Sequence, residues 1–330
     1  MQVTIIGAAG MIGAKIAERI AATGAIGGKA VDTLTLVDVI APQVAADFGG
    51  TRTAYAADLT QAGMAAKVVA DRPDVIVHLA AIVSGEAEAD MAKGYRVNLD
   101  GTRALLEAIA AHEGYCPRVI YASSLAVFGA PFPAKIPDDY YLTPLTSYGT
   151  QKAMGEMLIN DYSRRGFIDG IGIRFPTICI RPGKPNKAAS SFYSGILREP
   201  LNGQEAILPV GDDMRHWFAS PRAAVGYIEH AATLDTTTMG AQRCMTMPGV
   251  SATVGDQIEA LRAVAGDEAV ALIKRVPDPA VLAIVGGWPR DFDTARACGL
   301  GFVAETSFQE IIAIYLEDEM GQKALTGAAS

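Results

Sequence analysis

Short apolar runs alternate with longer segments of helical periodicity through the first half of the chain. Five runs have the length and content of strands, at residues 3–6, 33–38, 52–55, 75–81 and 118–122, and that at 52–55 is the weakest. Segments with a helical pattern separate them, at about residues 11–23 and 90–111. This alternation predicts an α/β fold with a doubly wound parallel sheet, in which ligands bind at the carboxyl ends of the strands.

The first strand ends in a turn that contains Gly7, Gly10 and Gly13. Such a turn needs glycine for positive φ, for close approach of the backbone to a pyrophosphate, and for packing of helix on strand. The next helix would place its positive N-terminal end, with the backbone of Met11 and Ile12, against the phosphates. The turn therefore predicts a dinucleotide site, and an ordinary βα turn is the alternative.

Three further groups follow predicted strands at the same edge. Asp38 can accept hydrogen bonds from both adenosine ribose hydroxyls and repel a 2′-phosphate, so we expect NAD as the cofactor and not NADP. Asp58, followed by Leu59, can reach the adenine amino group, although a helix N-cap is an equally good interpretation. The small residues Ala80 and Ala81 let a cofactor lie across the sheet edge, whereas His78 is interpreted as a core histidine.

A tyrosine and a lysine share one face of a predicted helix. Tyr148 and Lys152 are four residues apart, and Ser147 is a plausible N-cap. A free tyrosine, with a pKa of about 10, is a weak base at pH 7. The lysine ammonium and the positive nicotinamide of an oxidised cofactor would lower that pKa. Ser124, at the end of the fifth strand, would hydrogen-bond the substrate oxygen whose proton Tyr148 removes.

At these residues the sequence resembles the extended short-chain dehydrogenase/reductase superfamily. The resemblance implies a Rossmann domain that binds NAD(P), with Ser124, Tyr148 and Lys152 as the catalytic set and Lys152 also bonded to the nicotinamide ribose. By the same resemblance, Asn98 positions the active-site helix. The segment Arg174-Phe-Pro-Thr, which includes Pro176 and Thr177, lies beside the nicotinamide.

Two departures from the superfamily narrow the expected substrate. The acidic pair of its sugar-nucleotide dehydratases is absent after Ser124, and Thr177 stands where its UDP-galactose epimerases have an asparagine that meets the diphosphate. Motifs along nearly the full chain resemble a branch that oxidises a four-carbon sugar acid, such as D-erythronate, at C2 with NAD. A nucleotide-sugar epimerase is the first alternative. A regulator that senses NAD(H) without catalysis is the second.

Beyond residue 180 the pattern changes, so we predict two domains. Residues 1–180 would form the NAD-binding Rossmann domain with the catalytic helix, and residues 181–330 a smaller mixed α/β substrate lobe. A Pro/Gly hinge at residues 181–187 joins them. Candidate residues for a carboxylate and hydroxyls in this lobe are Arg181, Ser190, Ser191 and Arg215, whereas Lys184 and Lys187 are interpreted as solvated charges.

Composition excludes several other classes. Of the 330 residues, 50% are apolar and 19% are charged, and the net charge of −8 gives no electrostatic case for nucleic acid or an anionic membrane. No apolar run approaches the ~20 residues of a membrane span. The first strand begins near residue 2 and the four cysteines are widely separated, so we expect a cytoplasmic protein without a metal site. Its superfamily commonly dimerises through two helices, which here would lie at residues 90–111 and 147–164.

Overall fold

The strands are shorter and more numerous than the apolar runs suggest. A computed structural model describes residues 1–43, 48–183 and 190–321. Its strands are β1 (Gln2–Ile6), β2 (Ala25–Ile26), β3 (Lys29–Ala30), β4 (Thr33–Asp38), β5 (Thr51–Ala56), β6 (Val75–His78), β7 (Arg118–Ser124), β8 (Asp169–Phe175), β9 (Thr177–Ile178), β10 (Ala206–Leu208), β11 (Arg215–Ala219), β12 (Cys244–Thr246), β13 (Val250–Thr253) and β14 (Ile273–Arg275).

Seven of these strands form one parallel sheet. Their order is β12-β8-β7-β6-β1-β4-β5, so the chain starts in the middle and winds outward in both directions. Ile5 of β1 pairs with Val77 of β6, and both are fully buried, as strands covered on both faces require. The order and the parallel pairing confirm the predicted doubly wound α/β fold.

Helices cover both faces of this sheet. The α-helices of the described residues are α1 (Met11–Thr23), α2 (Met64–Val69), α3 (Ser84–Ala89), α4 (Met91–Gly94), α5 (Gly101–Ala110), α6 (Ser147–Arg164), α7 (Ser191–Leu201), α8 (Pro221–Thr233), α9 (Val254–Ala271), α10 (Pro279–Val285), α11 (Ala295–Gly299) and α12 (Phe308–Met320). α1 and α8 pack together on one face, and α2, α5 and α6 on the other. None of the helices in the described ranges combines the length and hydrophobicity that crossing a membrane requires.

A second group of elements lies beside the carboxyl edge of the large sheet. β9, β11 and β13 form a three-stranded sheet in which β11 runs parallel to β9 and antiparallel to β13. β10 pairs with β14, and the apolar faces of α7, α9 and α12 build a separate core around Leu197, Leu261 and Ile312. This group matches the mixed lobe expected after the hinge.

The chain does not follow a strict division at residue 180. Two elements from the second half of the chain belong with the large sheet. α8 packs on α1, and β12 extends the sheet by pairing with β8. β9, from the first half, belongs to the small sheet. The split into residues 1–180 and 181–330 stays a prediction. In the structure, segments from each side of residue 180 pack with elements of the other side.

Candidate active site

The glycine turn between β1 and α1 has no room for side chains. Gly7 has a φ of +93°, and a Cβ there would lie 2.6 Å from the Ala80 nitrogen. A Cβ on Gly13 would lie 2.2 Å from the Gly7 carbonyl oxygen. Gly10 is the N-cap of α1 and no side chain caps that helix, whose first turn also lacks acidic residues. The first N–H groups of α1 thus have no capping side chain, which suits a bound anion.

Asp38 lies directly against this turn. Its carboxylate accepts a hydrogen bond from the Ala9 nitrogen at 2.9 Å and another from the Val39 nitrogen at 2.7 Å. Both bonds orient the carboxylate at the carboxyl end of β4, beside the glycines. This position at a strand end beside the glycines agrees with the ribose role predicted for Asp38.

Asp58 and Leu59 are placed differently from each other. The Asp58 carboxylate accepts a bond from the Thr60 nitrogen at 2.9 Å, but α2 begins only at Met64 with Gly63 as its N-cap. The alternative role as a helix N-cap is therefore wrong, since Asp58 caps a turn. Leu59 is buried in the core beside α5, so only its backbone is available to a ligand.

Asn98 connects the loop after β6 to α6. It lies in a π-helical stretch, Tyr95–Asp100, a local irregularity often found at functional sites. Its side chain bonds the backbone nitrogen and oxygen of Ile82 and donates to Gln151 Oε1 at 2.8 Å. Asn98 is buried and connects Ile82, just after Ala80 and Ala81, to α6, which agrees with the positioning role predicted for it.

α6 begins at Ser147, and its N-cap is Thr146. The Thr146 hydroxyl accepts the Gly149 N–H at 3.0 Å, so the N-cap predicted at Ser147 is wrong by one residue. Both residues are good caps, and the sequence pattern does not separate them. Tyr148, Lys152 and Glu156 then follow one another at helical spacing on one face of α6.

The phenol of Tyr148 meets the hydroxyl of Ser124. Ser124 accepts the Ala126 N–H at 3.2 Å and hydrogen-bonds Tyr148. Burial raises the pKa of Tyr148, opposite to the predicted direction, while the Ser124 bond and the positive charge of Arg181 act to lower it. In this structure the positive charge of Arg181 favours the phenolate, and the effect expected from Lys152 together with the nicotinamide stays a prediction.

Lys152 is 2% exposed and follows Tyr148 by about one turn of α6. Its ammonium donates to the Ala122 carbonyl at 2.7 Å and lies 5.8 Å from the centre of the Tyr148 ring. Burial lowers the pKa of Lys152 to about 8, and the charge of Glu156 opposes that shift. The Ala122 carbonyl is the hydrogen-bond partner of this ammonium in the described part of the chain, and the ribose contact stays a prediction.

A network of ion pairs connects Glu156 of α6 to residues outside that helix. Glu156 accepts from Ser123 at 2.5 Å and from Nε and Nη2 of Arg174, at 2.9 and 2.8 Å. Arg174 in turn lies 3.6 Å from Asp138, which pairs with Arg296 at 3.0 Å. Sequence reasoning missed Glu156, although its position four residues after Lys152 on the same helix face is a usable signal.

The candidate substrate residues divide into two groups. Arg181 donates to the Ile178 carbonyl and to Ser190 Oγ, both at 3.0 Å, and interacts electrostatically with Tyr148. Ser190 is buried and its hydroxyl is used to hold Arg181, while Ser191 is the first residue of α7. No carboxylate in the described ranges lies within ion-pair distance of Arg181. The predicted Lys184 and Lys187 lie outside those ranges.

Arg215 has partners of its own. It lies 3.7 Å from Asp256, donates to the Ser251 carbonyl at 3.2 Å, and is 42% exposed. Of the two arginines proposed for a carboxylate, only Arg181 has both an electrostatic contact with Tyr148 and no acidic partner within the described residues. Arg215 stays a sequence prediction.

The histidines do not form a catalytic set. His78 is buried, bonds Thr102 at 2.9 Å, and has its pKa lowered to about 3, chiefly by burial. The interpretation of His78 as a core residue is consistent with these contacts. In the described part of the chain, no three His, Cys, Asp or Glu side chains lie close enough to hold a metal ion.

Comparison with known proteins establishes the family. The family model for the NAD dependent epimerase/dehydratase family matches residues 3–224. This chain belongs to that family. A D-erythronate dehydrogenase from Cupriavidus necator is 44% identical over 322 residues, which are 96% of this chain and 98% of the relative. A D-erythronate dehydrogenase from Haemophilus influenzae is 41% identical, covering 97% of this chain and all of the relative.

A solved structure is similar over the same length. The crystal structure described as a nucleoside-diphosphate-sugar epimerase from Agrobacterium tumefaciens has a TM-score of 0.95 and 60% sequence identity, covering 97% of this chain and 95% of that one. The resemblance to the extended short-chain dehydrogenase superfamily is thereby confirmed.

NAD is the cofactor of this family, and the residues present fit it. A Cβ on Gly7 would collide with the backbone of Ala80, and one on Gly13 with the backbone of Gly7, so this tightly packed turn requires glycine at both positions. The N-terminus of α1 has no capping side chain, and Asp38 stands at the next strand end. Gly7, Gly10 and Gly13 with Met11 and Ile12 would hold the pyrophosphate, and Asp38 the adenosine ribose.

Proposed function

We propose that the protein is a dehydrogenase that oxidises the C2 hydroxyl of a small sugar acid, with D-erythronate first among the candidates, to the 2-oxo acid. Arg181 carries this proposal, because it interacts electrostatically with Tyr148 and has no acidic partner among the described residues. An unpaired guanidinium is suited to a substrate carboxylate. The names of the two relatives from Cupriavidus necator and Haemophilus influenzae agree with this substrate class.

The proposed chemistry gives each side chain of the site a separate role. Tyr148 removes the proton of the C2 hydroxyl, and the Ser124 hydroxyl hydrogen-bonds the same oxygen. Lys152 anchors the nicotinamide ribose, and Pro176 and Thr177 line the site beside it. NAD, when bound, supplies the acceptor for the hydride that leaves C2. The guanidinium of Arg181 binds the carboxylate and favours the phenolate form of Tyr148.

The deciding experiment follows NADH formation by absorbance across sugar acids, the matching sugar alcohols, and UDP-sugars. We expect turnover of D-erythronate, weaker turnover of L-threonate and other sugar acids, and little of erythritol. Equal rates with erythronate and erythritol would contradict the proposal. Tight NAD binding without turnover of any compound would instead favour the NAD(H)-sensing regulator.

A nucleotide-sugar epimerase is the second candidate. The description of the Agrobacterium tumefaciens protein, 60% identical to this chain, favours it. The chain has Thr177 where epimerases of the UDP-galactose type place an asparagine, which weighs against a diphosphate substrate. Interconversion of UDP-glucose and UDP-galactose by the purified protein would decide for the epimerase.

We also propose that the protein is a cytoplasmic homodimer. Met91, Met154 and Met157 are exposed apolar side chains on α4 and α6, within the segments predicted to meet in a dimer. All four cysteines are free thiols, as expected in a reducing compartment. Light scattering on a sizing column tests the dimer, and a mass of one chain would contradict it.

A further inference from the structure

A buried histidine, His216, joins Thr177 of β9 to the backbone of Pro289. It lies in β11 and is 3% exposed. Its Nδ1 lies 2.8 Å from the Pro289 carbonyl oxygen, and its Nε2 lies 2.7 Å from the Thr177 hydroxyl. Neither the fold nor the proposed reaction assigns a role to this histidine.

The two contacts fix the direction of both hydrogen bonds. A carbonyl oxygen only accepts, so Nδ1 carries the proton and donates to Pro289. Burial lowers the pKa of His216 to about 4, so the ring is neutral near pH 7 and Nε2 has no proton. Nε2 therefore accepts the hydroxyl hydrogen of Thr177.

Aromatic packing prevents a flip of the imidazole ring, which would exchange the positions of Nδ1 and Nε2. The ring stacks on Tyr193 with centres 5.6 Å apart and planes 12° apart, and the centre of the Trp288 ring lies 5.3 Å away. Phe218 meets its edge at 5.4 Å. The ring is thus held in one orientation by the core of the lobe.

The bond to His216 determines how the Thr177 hydroxyl can bond to a ligand. Its only hydrogen is donated to His216, so its oxygen can only accept a further hydrogen bond. Thr177 is partly buried at the start of β9, and the next residue, Ile178, accepts a hydrogen bond from the Arg181 guanidinium. Thr177 therefore lies one residue from the anchor of the arginine that would bind the substrate carboxylate.

We propose that Thr177 is a specificity residue that accepts a hydrogen bond from a substrate hydroxyl beyond C2, and that His216 is the positioning residue that makes it an acceptor. The inference rests on the proposed function and deepens it: the site selects sugar acids with a hydroxyl at C3 or C4. Analogues with hydrogen, fluorine or a carbonyl there cannot donate to Thr177. Thr177 was predicted as a cofactor residue, and the experiment separates the two roles.

The first measurement needs no activity. Nitrogen NMR of protein labelled in its histidines, with His216→Phe to assign the signal, reports which ring nitrogen carries the proton. We expect neutral His216 protonated on Nδ1 from pH 6 to 8. Protonation on Nε2, or titration of His216 in that range, would overturn the proposed direction of the bonds.

The second measurement compares D-erythronate with its 3-deoxy and 4-deoxy analogues. For the unmodified protein we expect kcat/KM to fall roughly tenfold with one of the two analogues, the range for a hydrogen bond whose loss leaves a polar group unpaired. Thr177→Val should remove that discrimination, and Thr177→Ser should restore it. His216→Phe should reduce it, because the freed Thr177 hydroxyl can then also donate.

Each outcome has a separate meaning. Unchanged discrimination in Thr177→Val overturns the substrate contact even when erythronate is a good substrate. A raised KM for NAD with unchanged discrimination assigns Thr177 to the cofactor. Absence of turnover with every sugar acid in the unmodified protein overturns the proposed function and the Thr177 contact together, while the NMR result still decides the His216 bridge.

Discussion

Replacing Arg181 with methionine separates the carboxylate contact from the rest of the site. Within the described residues, two of its five N–H donors are used, by the Ile178 carbonyl and by Ser190. No partner of the other three lies among the described residues, so they suit a carboxylate, and hydrogen bonds to charged groups contribute about 1.5–3 kcal/mol. At tenfold per 1.4 kcal/mol, Arg181→Met should lower the kcat/KM for erythronate relative to erythritol roughly 10- to 150-fold.

The ratio of the two substrates is the correct observable. Arg181 also favours the Tyr148 phenolate, so its loss slows both substrates, and this common effect cancels in the ratio. Arg215→Met is the matched control, because Arg215 already lies against Asp256. An unchanged acid-to-alcohol ratio in Arg181→Met would refute the reasoning, and so would an equal loss in the control.

Four other predictions test the remaining parts of the site. Tyr148→Phe should lower turnover by ~10²- to 10⁴-fold while NAD still binds in a fluorescence titration; near-normal NADH formation would remove its role as base. Asp38→Asn should lower the NAD over NADP ratio of kcat/KM about tenfold, and an unchanged ratio would show that Asp38 does not meet the ribose. Gly13→Ala should abolish NAD binding because its Cβ meets the Gly7 oxygen at 2.2 Å, whereas Gly10→Ala, with 3.3 Å, should be mild; equal effects would contradict this geometry. Burial lowers the pKa of His78 to about 3 and of His216 to about 4 in the folded protein. As the pH falls below ~6.5, the unfolded chain therefore binds protons at these histidines at a higher pH than the folded protein does. Urea unfolding should then show stability falling by up to about 2.7 kcal/mol per pH unit between pH 6 and 4, and a flat profile would contradict it.

The parts of the site that depend on local sequence were predictable. The glycine turn, Asp38 and the Tyr148 to Lys152 spacing each follow from one strand end or one helix face. Their positions agree with the roles predicted for them, which stay predictions until tested. Local patterns sufficed here because short-range backbone geometry decides where these groups lie.

The remaining features depend on contacts between distant segments. The arginine beside Tyr148 comes from residue 181, and no spacing rule links two positions 33 residues apart. The burial that raises the pKa of Tyr148 is likewise a product of the whole fold. The Thr177 to His216 bond joins β9 and β11, whose pairing is not encoded by periodicity.

The return of the chain to the large sheet limits how this protein can be divided. β12 is the outermost strand next to β8, and Cys244 fills the space beside Gly172, where a Cβ would lie 2.2 Å from the sulfur. A fragment that ends near residue 181 would lose both β12 and α8, leaving β8 as an apolar edge strand that invites aggregation. The substrate lobe is therefore not a module that recombination could exchange between relatives at a single crossover; a viable chimera needs two junctions, with β12 and α8 kept alongside the sheet they complete.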